Sequence, residues 1–240
     1  MEDYEKMEII LVNNGFKKNP KKNQFILRLE SEEKIWENFS RITRKGIKKA
    51  KKSGLQIKEI NSEKELKSFY DLYLNNMKSF GTPQHGYNLF RNLMNMEEGF
   101  KGLNCYKDNR LIGSLIILYS RDYAYAAYNA SDREFLIYQP NDLVHWEIIR
   151  FCIKNGLKYF DFGQCDANAK EGTHDYGIYN FKKKWMGKLH NKYYFSHDFG
   201  KKDIIEDAKK ERGFLTKSWT KLPSLLTKTI GPKIASELAL

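Results

Sequence analysis

The chain has 240 residues, 41% of them hydrophobic and 14% aromatic, which is enough for a folded core in one large domain with appendages and excludes a disordered polymer. With 42 Lys and Arg against 30 Asp and Glu it carries a formal charge of +12, which asks for an acidic partner: nucleic acid, a phosphorylated ligand or an anionic membrane surface. Cys105, Cys152 and Cys165 are odd in number and contain no CxxC pair, which excludes a disulfide scaffold and suits a reducing compartment. No apolar run reaches signal-peptide or transmembrane length, so the expected location is cytoplasmic, with peripheral contact with the inner membrane surface left open.

Residues 1–40 read as a strand pair and a helix. An apolar run, Met7 to Val12, leads to a turn at Asn13-Asn14-Gly15, and a second strand covers Gln24 to Leu29. Ser31 is placed to cap a helix near 31–39 with acids in its first turn. This segment is too small for a domain and reads as the remnant of a truncated first unit. Residues 41–54 form a basic linker helix, and the stretch RITRKGIKKAKKSGLQIK over 41–58 holds eight basic side chains and no acid. It is either a phosphate-binding face or a solvated basic helix.

The pattern becomes regular over 55–200. A strand at Leu55 to Ile60 is followed by a helix whose Leu66, Phe69, Tyr70, Tyr73 and Met77 repeat at helical spacing, with Ser62 and Glu65 as a capping box. Gly81-Thr82-Pro83 breaks it, and a short helix spans about Tyr87 to Met96. Three strands follow, 103–107, 111–119 and 123–130, the first two joined by an Asp108-Asn109 hairpin turn. Pro140-Asn141-Asp142 opens a helix that ends at Asn155-Gly156. Then come a strand at Tyr159 to Phe162 with a tight exit at Gly163, a long polar loop, a helix from Gly177 to Trp185, and a last aromatic strand from Lys192 to Phe195. Residues 201–240 read as a basic helical tail.

Five segments in this order resemble the Fem-type branch of the GNAT acyltransferases, the peptidoglycan interpeptide-bridge aminoacyltransferases and their relatives. They are Arg41-Ile42-Thr43-Arg44-Lys45-Gly46-Ile47-Lys48-Lys49-Ala50, Tyr128-Asn129-Ala130-Ser131, Pro140-Asn141-Asp142-Leu143-Val144-His145-Trp146, Phe160-Asp161-Phe162-Gly163 and Tyr179-Asn180-Phe181-Lys182-Lys183-Lys184-Trp185. The resemblance implies an α+β, three-layer GNAT acyl-CoA N-acyltransferase fold, with a mixed, mostly antiparallel sheet and helices on both faces. Fem ligases carry two such domains in tandem, whereas this chain has one complete unit, at 55–200. The tail, with Trp219, Leu222-Pro223 and Gly231-Pro232, more loosely resembles Fem-related proteins of exopolysaccharide and exosortase loci.

The same resemblance implies an acyl transfer in which an amine attacks an ester or thioester and negative charge grows on the carbonyl oxygen, which calls for a cation in a water-poor cleft. Lys182 matches the lysine that serves this role in the family, and Phe181 supplies an apolar wall beside it. Asp161 orients the amine, accepts its proton, or bonds a loop. Tyr128 contacts the nucleotide-linked substrate or is a buried aromatic, Gln164 and Tyr179 line the substrate site, and Arg44 with Lys45 forms a diphosphate clamp, since arginine binds phosphate bidentately. His174 is a lone loop histidine, Cys165 lacks a paired base, and the histidines and cysteines fit no zinc spacing.

Ordinary GNAT enzymes hold the coenzyme A pyrophosphate on a Gly-rich turn at the start of the third helix. Here that place reads Gln139-Pro140-Asn141-Asp142-Leu143-Val144, without glycine and with an acid, which disfavours coenzyme A. The expected donor is therefore aminoacyl-tRNA, a co-substrate, with no bound cofactor or metal, and the expected acceptor is a nucleotide- or lipid-linked envelope precursor. The alternatives are an acyl-CoA-dependent N-acyltransferase acting on an exopolysaccharide or amino sugar, and a non-catalytic nucleic-acid-binding module.

Overall fold

The computed structural model describes residues 2–19, 22–197 and 219–237. In chain order the elements are α1 (Glu2–Asn13), β1 (Lys17–Lys18), β2 (Lys22–Arg28), α2 (Glu32–Asn38), α3 (Arg41–Lys52), β3 (Gln56–Glu59), α4 (Glu63–Phe80) and α5 (Tyr87–Met94). Then come β4 (Phe100–Lys107), β5 (Arg110–Ser120), β6 (Tyr123–Ser131), α6 (Pro140–Lys154), β7 (Tyr159–Cys165), α7 (His174–Lys183), β8 (Lys188–Lys192), β9 (Phe195–Ser196) and α8 (Ser224–Glu237). Seven strands make one sheet in the order β3-β4-β5-β6-β7-β2-β8, and β1 pairs with β9 apart from it. Every pairing in the large sheet is antiparallel except that of β6 with β7.

Helices cover both faces, because consecutive residues of a strand point to opposite sides. On one face Leu115 and Ile117 of β5 pack with Phe160, Phe162, Ile47, Trp146, Ile149 and Trp185 under α2, α3 and α6. On the other, Ile116 joins Leu66, Phe69, Tyr73 and Phe90 under α4 and α5. The fold is thus the three-layer α+β arrangement expected.

Local signals act where the sequence placed them. Asp108 and Asn109 both take positive φ, 48° and 65°, which gives the β4–β5 hairpin the twist that two-residue turns favour. Ser31 and Ser62 accept from the amides of Lys34 and Glu65. The capping box at Ser62 is only half made: the Glu65 carboxylate instead accepts from Tyr106 Oη (2.6 Å) and Asn104 Nδ2 (3.0 Å).

Five expectations need correction. The run Met7–Val12 is helix, not strand: good helix formers in Glu2–Lys6 start α1, and Asn14 closes it by donating to Ile10 O. Strand β2 is no separate hairpin, since it lies inside the main sheet between β7 and β8 and buries Asn23, Phe25 and Leu27 in alternation. Gly163 is no strand exit; β7 continues to Cys165 past a register shift opposite Gln24 and Ile26. Helix α7 starts at His174 because Thr173 Oγ1 accepts from Tyr176 N at 3.3 Å, and the final strands flank Tyr193-Tyr194 instead of containing them.

The expected tail begins outside the described residues. Its α8 packs on the α4–α5 connection, where Gln84 Nε2 donates to Thr227 O at 2.6 Å.

Candidate active site

Strands β6 and β7 run parallel for three pairs only: Tyr123 with Tyr159, Ala124 with Phe160, and Tyr125 with Asp161. Beyond Tyr125 they part. Gly163 makes the fork, taking φ +79°, a conformation that costs a residue with a Cβ free energy. Asp161, buried to 2% exposure, ties the fork together. Its Oδ1 accepts from Gly163 N at 2.8 Å, and its Oδ2 accepts from Tyr123 Oη at 2.7 Å across the parting strands. Both oxygens are therefore engaged, and the bonds Asp161 makes are those of a clamp.

Lys182 enters the fork from α7. Its Nζ donates to Gln164 O at 2.7 Å, and a Cβ added at Gly163 would lie 3.3 Å from that nitrogen. Among the described residues no carboxylate comes within ion-pair distance of it. Burial pushes its pKa down to about 8, against the opposing pull of Cys165 and Asp161. A half-buried ammonium without a counterion, beside a glycine that gives it room, is what a growing negative charge would meet. Gly163→Ala strains the backbone and crowds Lys182 Nζ, so it should lower turnover at least tenfold, while Gly172→Ala, which strains the backbone alike at φ +82° but meets open space, leaves turnover intact. Steady-state kinetics on the two variants check this.

The opposite rim is aromatic. The same Cβ position at Gly163 lies 3.5 Å from Tyr125 Cε2, so Tyr125 and Lys182 flank one backbone point. Lys192 Nζ sits 5.5 Å from the Tyr125 ring centroid and 5.6 Å from that of Tyr194. Burial raises the pKa values of Tyr123, Tyr125 and Tyr194, with the Asp161 charge adding to each. Tyr128 continues the row: a bulge opposite Ile116 and Ile117 keeps it on the Tyr125 face, where it packs edge-on to Phe90 (4.8 Å) and His85 (5.9 Å).

Behind Lys182, Phe181 stands edge-on to His145 at 5.0 Å, and His145 stacks on Phe162 at 6.0 Å. Burial drives the His145 pKa down to about 3, so it is a neutral packing residue. Tyr179 packs on Phe25 at 5.5 Å, with Lys183 Nζ over its ring.

Three elements meet behind this wall. Thr43 Oγ1 donates to Lys184 O at 2.7 Å, tying the start of α3 to the end of α7. Lys184 pairs with Asp142, 1% exposed in the first turn of α6, and Asp142 Oδ2 faces Gly46 so closely that no Cβ fits there. Pro140, at N1 of α6, packs on Gly113. The α6 N-terminus is filled by the protein's own groups.

The structure thus brings Lys182, Asp161 and the Gln164 carbonyl to the fork, with Phe181 behind Lys182, while Tyr128 packs among Tyr73, His85 and Phe90. Arg44 is elsewhere engaged, donating to Glu37 O (2.6 Å) and Trp36 O (3.3 Å), while Lys45 is exposed on α3. His174 stacks on Phe80 at 4.8 Å, and burial raises the Cys165 thiol pKa. Among the described residues no three His, Cys, Asp or Glu side chains group as metal ligands. Sequence reasoning passed over Tyr123, Tyr125, Lys192 and Tyr194. The alternation Tyr123-Ala-Tyr125 was the available signal for the first two.

A forked parallel pair in an otherwise antiparallel sheet, with a cation at the fork, defines an acyltransferase-type fold, and the chain belongs to the acetyltransferase (GNAT) domain family, whose model matches residues 37–183. Within that family it is similar to the lipid II:glycine glycyltransferases of Staphylococcus haemolyticus (27% identity over 34% of this chain and 19% of that protein) and Staphylococcus saprophyticus (27% over 40% and 22%). The chain thus matches about a fifth of the length of these curated relatives. Among solved structures the fold is shared with FemX, at TM-score 0.66 and 16% identity over 76% of this chain and 65% of that one. It is shared also with L-PGS from Bacillus licheniformis, at 0.55 and 9% over 90% and 71%.

Proposed function

We propose that the protein is a Fem-type N-acyltransferase that moves an aminoacyl group from aminoacyl-tRNA to an amine of a lipid- or nucleotide-linked envelope precursor, at the cytoplasmic side of the membrane. The observation that carries this reading is Lys182, an ammonium with no acidic partner among the described residues, held at the fork of β6 and β7. The amine nitrogen attacks the ester carbonyl and the C–N bond forms. Lys182 stabilises the oxyanion, and collapse breaks the C–O bond, the RNA hydroxyl leaving with a proton and the amine losing one.

Two further features support the donor. The α6 N-terminus, which would hold the pyrophosphate of coenzyme A, is occupied by Pro140 and by the Asp142–Lys184 pair. The α3 face carries Arg41, Lys45, Lys48, Lys49 and Lys52 exposed, a ridge suited to a phosphate backbone, and α3 is bonded to the end of the helix that bears Lys182. No described helix is long and apolar enough to cross a membrane.

The test compares transfer from radiolabelled glycyl-tRNA and from acetyl-CoA, each to an amine acceptor. Transfer from the RNA ester alone is expected. Transfer from acetyl-CoA alone would make this a coenzyme A enzyme, and salt-sensitive RNA binding with no transfer would make it a binding module. The triple variant Lys45→Gln, Lys48→Gln, Lys49→Gln should weaken tRNA binding and flatten its dependence on log salt by about one unit for each phosphate that is no longer neutralised. An unchanged slope in a filter-binding titration would remove the ridge from the RNA site.

A further inference from the structure

Deepening the proposed function and resting on it, we infer that Tyr125, Tyr194 and Lys192 form a stacking site for a nucleobase with its adjoining phosphate. This place gathers two phenol rings around one ammonium on the rim opposite Lys182.

Lys192 lies within 5.6 Å of both ring centroids, so two phenol faces are gathered around one ammonium. Among the described residues no carboxylate neutralises that ammonium, although Lys22, directly across the β2–β8 pairing, is a second cation on the same strand pair. Tyr194 is 37% exposed and Tyr125 half-buried, which leaves aromatic surface open to solvent at the mouth of the fork. The Asp161 charge adds to burial in raising the pKa of both phenols, so the rings stay neutral.

Aromatic surface of this kind gains free energy when a planar group stacks on it, and a nucleobase offers a π face whatever its identity. The cation selects a base that carries phosphate over a neutral ring. A bare sugar would use the rings but not the charge. An inorganic phosphate would use the charge but not the rings. Tyr125 touches the Gly163 point that Lys182 also touches, so a base stacked here would lie beside the reacting carbonyl.

The chemistry fits two sources: the 3′-terminal nucleoside of an RNA ester, and the nucleoside diphosphate of a nucleotide-linked acceptor. The full chain should therefore be titrated with an RNA hairpin ending in an unpaired CCA-3′, with the same hairpin ending in an abasic residue, and with UDP-N-acetylglucosamine. Binding of the CCA hairpin weakened about 5- to 100-fold by Tyr194→Ala and by Tyr125→Ala, and kept within about twofold by the Phe variants, is the expected result. The same loss on the nucleotide sugar, with the hairpin unaffected, would place the acceptor there and leave the base site standing. Equal binding of both ligands by wild type and Ala variants, or equal affinity for the abasic and CCA ends together with nucleotide-sugar binding that the Ala variants leave unchanged, would overturn the stacking site while leaving the proposed function intact. If wild-type protein bound neither ligand, the RNA-donor reading would fall and the site with it. Circular dichroism melts confirm that the Ala variants are folded before either result is read.

Discussion

Lys182→Ala should lower kcat by about a hundred- to a thousandfold, the loss that follows removal of one oxyanion donor, with KM changed far less. Its fold should survive, because the ammonium is a burden on the native state. The folded-state pKa is depressed to about 8 from an ordinary 10.5, so the folded protein holds this proton less tightly than the unfolded chain does. The cost of burying the charge is felt in full below pH 8. It is relieved as pH rises from about 8 to 10.5, where the unfolded chain remains protonated. Lys182→Met removes that cost and should melt no lower than wild type at pH 7 while being equally inactive. Activity has the opposite pH sign, since the cation must be charged to meet the oxyanion, so turnover should fall above about pH 8. Lys182→Arg, which cannot lose its proton in that range, should move this alkaline limb beyond pH 10 if it retains measurable activity. A pH–rate profile of wild type without a limb near 8, or Lys182→Ala at full turnover, would remove Lys182 from the chemistry.

What was legible in the sequence was local. Ser31, Ser62, Asp108-Asn109 and Pro140 each act within a few residues of themselves, and each element they bound is where the pattern put it. Strand β2 was misplaced because its partners, Tyr159 to Cys165 and Lys188 to Lys192, are more than a hundred residues away, and alternation reveals a buried face without naming its neighbours. Gly163 could be seen as a turn signal but not told from a bulge, since both need positive φ. Lys182 stood out through its motif, yet nothing in a run of three lysines says which is unpaired; the structure gives the acid to Lys184 and leaves Lys182 without one. The aromatic rim was out of reach for the same reason as β2, because Tyr194 and Tyr125 come to the same Lys192 ammonium only once distant strands have joined one sheet.

Asp142 shows how an acid can be legible in a sequence while its partner is not. The sequence sets it against a pyrophosphate at the start of α6; in the fold its carboxylate is buried against Gly46 and paired with Lys184, at the α3–α6–α7 junction. Lys184→Ala should cost about 3–5 kcal/mol, because it leaves a carboxylate 1% exposed without its cation, and Asp142 Oδ2 already lacks a hydrogen-bond donor. For a chain of this length that is a fall in Tm of roughly 10 °C. The pairing itself is worth little against an apolar substitute, so Lys184→Met with Asp142→Leu should recover most of the loss. Gly46→Ala tests the third side of the junction: its Cβ meets the Asp142 carboxylate, and α3 must retreat from α6. The two sites touch, so their effects should not add. Gly46→Ala made on top of Asp142→Ala should cost far less than Gly46→Ala alone, because the atom in its way is gone. Additive losses in thermal melts would mean that α3 and α6 are held apart by something other than Asp142, and the α7 anchor would have to be sought at Thr43 alone.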